Sequence, residues 1–307
     1  MTIHVVPTDF PTVQLAIDDP GTNPGDSIQI LAGTFDGFDV TKERLKIFGC
    51  GIGKTIISGN PSFGTNDGIT VNANQTILKG FTVQGFTTGI DSNGINVNSN
   101  NNILEEVESK LNGDDGYEID GENNLIINCF ASFNSGDGFD INTIHHCIIN
   151  CESIKNSIEG FEIDGDSNRF INNTSIENVD DGFDIDGDFN ILFGNTAIKN
   201  DRGIGIDDDG NNVINNLVCN NLSVGISTGV EDFQDLNNVI DSNIVRNNGA
   251  EGLGSGIFIG DTAFDNTIRF NKLKLNEPFD IQVEGNPMDN TYDGNKCESS
   301  DPMNLCT

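Results

Sequence analysis

The chain has 307 residues and carries 48 acidic against 15 basic side chains, a formal net charge of −33. That charge disfavours a bare nucleic acid or an anionic membrane surface as a partner, and no run of about 18 apolar residues is present to span a bilayer. Only 35% of the residues are hydrophobic, but 20 Phe and regularly spaced Ile, Val and Leu supply a core, so a folded chain is expected rather than a disordered one.

The opening Met1–Phe10 has no basic stretch followed by an apolar one, so no leader peptide is read there. Residues 10–18 place Phe10, Val13 and Ile17 at helical spacing with Pro11 near the start, which predicts a short helix acting as an N-terminal plug. Beyond it a repeat takes over. Gly116-Tyr117-Glu118-Ile119 recurs as Gly138-Phe139-Asp140-Ile141, Gly160-Phe161-Glu162-Ile163 and Gly182-Phe183-Asp184-Ile185, each step being 22 residues. Gly203 and Gly225 continue the series, Gly94 and Gly68 extend it backwards, and Gly256 follows only after 31 residues. An insertion is therefore expected near 229–236 or 249–254.

A unit of this length is too short for a βαβ crossover, which needs about 30 residues. Its apolar residues alternate with polar ones, a strand pattern, and Asn, Gly, Asp and Ser between them form turns. One such unit cannot bury its own apolar side, whereas stacked units can. The expected fold is all-β, a single-stranded parallel β-helix with one coil per repeat and coils about 4.8 Å apart. Tyr117, Phe139, Phe161, Phe183, Ile204, Ile226 and Ile257 then form one inward column, and Ile119, Ile141, Ile163, Ile185, Ile206, Thr228 and Ile259 another. Asn112, Asn134, Asn156, Asn178 and Asn221 predict a buried asparagine ladder, with Asn128, Asn150 and Asn172 as a second. Cys129 stacks on Cys151 as core rather than as a redox pair, and Cys297 with Cys306 can staple the tail. His145 and His146 are read as a surface pair. One domain over 1–307 is expected, with 1–26 as an N-terminal cap, 27–276 as coils and 277–307 as a C-terminal cap.

The polar side of the repeated strand carries the functional signal. Glu118, Asp140, Glu162 and Asp184 lie between the inward columns, and Asp120, Asn142, Asp164, Asp186 and Asp207 occupy the next outward position. Asp115, Asp137, Glu159 and Asp181 precede the glycines. Carboxylates one coil apart repel by roughly 0.9 kcal/mol in water and about 3.5 kcal/mol at an effective dielectric of 20. Protons or cations must relieve this, and close oxygen ligands suit Ca²⁺. The stripe stops at Arg202 and Gly205, which sets Arg202 and Lys199 beside the acids. A metal beside a basic group suits binding of a sugar carboxylate and loss of the neighbouring C5 proton. A salt bridge from Arg202 to Asp181 or Asp184 is the competing reading.

On these residues the chain resembles the right-handed parallel β-helix group that includes pectate lyases and mannuronan C5-epimerases. Val6–Val13, Pro24–Ile28, Leu31–Phe35, Lys46–Gly49 and Gly53–Gly59 resemble the opening of that fold. Asp180, Asp181 and Asp184 match the Asp-Asp-Gly-x-Asp calcium motif of one pectate lyase group, and Asn200-Asp201-Arg202-Gly203-Ile204 resembles the arginine coil of the epimerases. The epimerase Tyr and both His have no counterpart here. The resemblance implies a right-handed helix and a lyase-like, carbohydrate-active protein that binds or cleaves an acidic polysaccharide with Ca²⁺. In that reading Asp180, Asp181 and Asp184 hold the metal, Asp164, Asp186 and Asp207 contact the glycan, and Arg202 or Lys199 does the chemistry. The alternative is a non-catalytic surface, spore-coat or fibre protein used as scaffold or adhesin. Both readings place the protein outside the cell or on a cell, spore or virion surface.

Overall fold

The computed structural model describes residues 1–59, 67–89, 91–230, 234–250 and 254–307. They form two compact units, Met1–Ser157 and Ile158–Thr307. Each is a parallel β-solenoid whose coils carry three short strands, as the alternation and the turn residues predict.

In the first unit, strand Ile3–Val6 pairs in parallel with Ser27–Ile30, which pairs with Lys46–Phe48 and then Ile77–Gln84. The ladder thus begins inside the segment expected to be only a cap. The helix is shorter than the predicted 10–18 and spans Val13–Asp18, because the Thr12 hydroxyl accepts the Leu15 N–H and starts it there. It buries Val13, Ala16 and Ile17 against strands Ile3–Val6, Ser27–Ile30 and Phe38–Val40, covering the open end of the first coil. The strands bearing the repeated motif run Phe38–Val40, Ile69–Val71, Ile95–Val97, Tyr117–Ile119 and Phe139–Ile141, each parallel to the next.

Tyr117 lies opposite Phe139 in register, their rings stacked at 4.6 Å. In the second unit Phe161 stacks on Phe183 at 4.7 Å, and Phe183, Ile204, Ile226 and Ile257 continue the column. All of these side chains are fully buried, as are Ile119, Ile141, Ile163, Ile185, Ile206, Thr228 and Ile259. Each buried aromatic or aliphatic side chain contributes about 1.5–3 kcal/mol of hydrophobic stabilisation. Cys129 and Cys151 are buried thiols of the first unit, and Cys297 is bonded to Cys306.

The first asparagine ladder is present. Asn112 N–H donates to Asn134 Oδ1 and Asn134 N–H to Asn156 Oδ1 in the first unit. Asn178, Asn200, Asn221 and Asn248 repeat the pattern in the second. Asn128, Asn150 and Asn172 do not form a buried ladder, although Asn150 Nδ2 donates to Asn128 Oδ1 on the neighbouring coil at 3.4 Å. Those residues sit in turns at φ of 53–55°, where asparagine is chosen for its tolerance of the left-handed region, and Asn150 and Asn172 are exposed. Further buried ladders run elsewhere, through Asn168, Asn190 and Asn211 and through Asn173, Asn195 and Asn216. The histidine pair is likewise corrected. His145 is exposed, but His146 is 1% exposed and takes the ladder place after Asn102 and Asn124, its Nδ1 accepting the Asn124 N–H at 3.1 Å. Burial pushes the His146 imidazole down to about 4, so it stays neutral and can accept.

Asn221 is tied at both ends of its side chain. Oδ1 accepts from Asn200 N–H at 3.0 Å, and Nδ2 donates to Asn248 Oδ1 at 2.9 Å and to the Ala197 carbonyl at 3.3 Å. Asn221→Ala is expected to lower stability by about 1–3 kcal/mol for each buried group left unpaired, read as a lower urea midpoint at constant m-value. Asn220→Gly on the adjacent turn, at a φ of 61° that glycine adopts without strain, serves as the control.

The expected insertion falls partly on residues 231–233 and 251–253, which lie outside the described residues. Around them, Asp235–Leu236 pairs with Ala263–Phe264 as a separate two-stranded ladder. The segment 277–307 adds strands Ile281–Val283, Thr291–Asp293 and Ser300–Asp301 to the ladders of the second unit.

Candidate functional site

The aligned carboxylates sit where the alternation puts them, on the outward side of the motif-bearing strands, and each unit relieves their repulsion differently. In the first unit the column before the glycines is a series of backbone caps. Asn93 Oδ1 accepts the Asp115 N–H at 2.9 Å, and Asp115 Oδ1 accepts the Asp137 N–H at 2.6 Å. Turn geometry is thus one reason why an acid or amide recurs at this place. Amides bridge the other columns. Glu118 Oε2 accepts from Asn93 Nδ2 at 2.6 Å and Asn96 Nδ2 at 2.5 Å, while Asn142 Nδ2 donates to Asp120 and Asp140 at 3.0 and 3.1 Å. Burial pushes Glu118 up to about 7, helped by repulsion from Asp120, Asp67 and Asp114.

In the second unit a guanidinium does this work. Arg202 donates Nε to Asp181 Oδ2 and Nη2 to Asp184 Oδ1 at 2.6 Å and Asp207 Oδ2 at 3.0 Å, with Nη1 on Ser227 Oγ at 3.3 Å. The salt bridge foreseen as the competing reading therefore exists, and it is wider than foreseen. Gly205 makes it possible. A β-carbon there would collide with the guanidinium and approach Asp184 Oδ1 to 2.6 Å, so the coil that lacks a side chain is the coil that seats the arginine. One positive charge shared by three carboxylates leaves an excess of negative charge in a half-buried place. Burial pushes Asp181 up to about 7 and Asp184 up to about 9, although Arg202 pulls both down, and the guanidinium itself is held far above its ordinary value by the same partners.

The predicted site residues separate into two groups. Arg202, Asp181, Asp184 and Asp207 are brought together. Asp186 joins them, since Asp184, Asp186 and Asp207 each offer one oxygen within 4.8 Å of the others. Burial, then the charges of Asp207 and Asp164, pushes Asp186 up to about 6. Asp180 and Asp164 are exposed, and Lys199 sits on a turn at φ 60° with its ammonium on Glu177 at 2.8 Å. Among the predicted site residues, Asp184, Asp186 and Asp207 are a set whose oxygens converge. The Asp207 side chain is only 7% exposed, and among the described residues its Oδ1 has no hydrogen-bond partner. Ser227 and the seating role of Gly205 were missed in the sequence. The loss of the acidic residue at 205, directly beside an arginine, was the readable signal.

A solenoid of three-stranded coils bearing polar ladders on one outward face defines a class, the right-handed parallel β-helix proteins. Residues 148–297 match the family model described as right handed beta helix region, and the fold of the chain is of that kind. Comparison by sequence with curated proteins finds no match. Among solved structures the chain is similar to the A-module of Azotobacter vinelandii mannuronan C-5 epimerase AlgE6, at 17% identity and a TM-score of 0.80 over 92% of this chain and 88% of that one. It is also similar to the Dettilon tailspike protein, at 17% identity and TM-score 0.63 over 89% of this chain and 59% of that one. Pectate lyase Pel9A aligns at 15% identity and TM-score 0.53 over 98% and 79% of the two chains. At these identities the likeness is one of fold.

Proposed function

We propose that the protein is a carbohydrate-active β-helix of lyase type that engages an acidic polysaccharide through calcium at the Arg202 cluster. The observation that carries this reading is the trio Asp184, Asp186 and Asp207, each with an oxygen within 4.8 Å of the others, together with the buried Asp207 Oδ1, which has no hydrogen-bond partner among the described residues. Hard oxygens in close array fit Ca²⁺. The similarity of fold to a mannuronan epimerase and to a pectate lyase supports the substrate class, and that to a tailspike agrees with a place outside the cell or on a surface.

The charge balance explains why an ion is needed. An acidic face on a chain of charge −33 repels a polyanion. Four carboxylates (Asp181, Asp184, Asp186, Asp207) are offset by Ca²⁺ and Arg202 to −4 + 3 = −1, and one retained proton brings the site to neutrality. Asp184, Asp186 and Asp207 would hold the ion, which when bound accepts the sugar carboxylate and acidifies the proton beside it. Arg202 fixes Asp184 and Asp207 in place through two N–H groups on one nitrogen. Gly205 makes the room that the guanidinium occupies between these carboxylates.

Affinity electrophoresis in polygalacturonate and alginate gels tests the reading. Calcium-dependent retardation that is lost in Asp207→Asn is expected, and ultraviolet absorbance of the digest reports any unsaturated uronate formed. Migration indifferent to calcium in every acidic glycan would leave the scaffold reading in its place.

A further inference from the structure

The second unit carries a cavity of about 470 Å³ lined by Val224, Phe258, Pro278, Gln282 and Glu284, among others. That is within the usual range for small-ligand sites. Its floor is in register with the Arg202 seat, for Gly205 pairs with Ser227, Ser227 with Phe258, and Phe258 with Gln282. At about 4.8 Å per coil, Phe258 stands roughly 10 Å from Gly205 along this outward column. Ser227, which accepts from Arg202, lies between them.

The chemistry changes along this column. Asp184 is followed by Gly205, Ser227, Phe258 and Gln282, so the charge stops where the cavity begins. Phe258 is outward-facing and half-buried, an aromatic surface in a position that Glu118 and Glu162 fill in earlier coils. An aromatic ring with an amide and one carboxylate on its rim suits the C–H face of a neutral pyranose, whose hydroxyls can meet Gln282 and Glu284. A uronate in the same place would set its carboxylate against Glu284.

We infer that the cavity is a subsite for an uncharged sugar, so that the glycan is a heteropolysaccharide in which a neutral residue flanks the anionic one held at the Arg202 cluster. This rests on the function proposed above and narrows it. The test is calorimetric titration of the full chain, in calcium, with an alternating glucuronate–glucose oligosaccharide and with an oligogalacturonate of equal length. The alternating probe is expected to bind at least about tenfold tighter. Phe258→Ser and Gln282→Ala should each weaken it while leaving the homopolymer unchanged, with circular dichroism showing both variants folded at the titration temperature.

Equal affinity for the two probes, or equal weakening of both by Phe258→Ser, overturns the subsite while leaving the calcium site standing. A Phe258→Ser change in sedimented mass with unchanged affinity also overturns it, making the cavity a contact between copies. If neither probe binds, the proposed function fails and this inference fails with it.

Discussion

Arg202→Met is expected to destabilise the protein by about 3–5 kcal/mol at pH 7, because it leaves Asp181, Asp184 and Asp207 without the cation they share. For a chain of this size that corresponds to a fall in melting temperature of roughly 10 °C by scanning calorimetry. Methionine fills much of the same volume, so the loss reports the charge more than a cavity. The sign of the pH dependence distinguishes this from a packing defect. Asp181 and Asp184, already raised by burial, lose the downward pull of Arg202 in the variant and must either ionise against their neighbours or take up protons. Their folded values rise further above the unfolded ones, and the penalty vanishes once the pH drops below the unfolded value. The gap between variant and wild type should therefore narrow from pH 7 toward pH 4. Arg202→Lys should fall between the two, since a compact ammonium cannot present the Nε and Nη2 donors to Asp181, Asp184 and Asp207 together. Melting of Arg202→Met within about 2 °C of wild type at pH 7 would show that the carboxyls are already neutral and that the cluster stores no charge.

How far this cluster could be read in advance follows from what a periodic sequence encodes. A 22-residue step says which side chains are stacked, and so Tyr117 on Phe139, Phe161 on Phe183 and the carboxylate columns were all legible. It does not say what a stacked polar residue is for. Asparagine serves both left-handed turns and buried ladders, so Asn150 and Asn134 carry the same letter with opposite exposure. His146 was hidden for the converse reason, since a ladder place needs an acceptor at the right height and a neutral imidazole provides one. The Asp115 column carries a second meaning that counting does not reveal, since Asp115 also caps the N–H of Asp137 on the neighbouring coil. Arg202 was placed beside Asp181 and Asp184 by counting alone. Its reach to Asp207 and Ser227 depends on the empty volume over Gly205, and volume is a property of the folded coil.

Calcium and protons should stabilise the wild-type protein by separate routes. Glu118 is raised to about 7 and Asp235 to about 6, in both cases chiefly by burial. A carboxyl whose folded value lies above its unfolded one keeps its proton longer in the native state. Stability is then greatest near the unfolded value and falls as pH rises through the folded one, at up to about 1.4 kcal/mol per pH unit for each fully retained proton. Melting temperature should therefore decline from pH 5 to pH 8, opposite to the behaviour of carboxylates that are salt-bridged and lowered. Calcium acts on the other arm. At pH 8, free ion at 100 times its Kd adds about 2.7 kcal/mol, whereas at pH 5 protons compete for the oxygens of Asp184 and Asp186 and the gain shrinks. Two substitutions separate the routes. Glu118→Gln, in the first unit, should flatten the pH slope and keep the calcium gain. Asp207→Asn, in the second, should abolish the calcium gain while leaving the slope that Glu118 contributes. A calcium gain of equal size at pH 5 and pH 8, surviving in Asp207→Asn, would place the ion somewhere other than the Asp184, Asp186 and Asp207 oxygens and remove the basis for reading the Arg202 face as a glycan site.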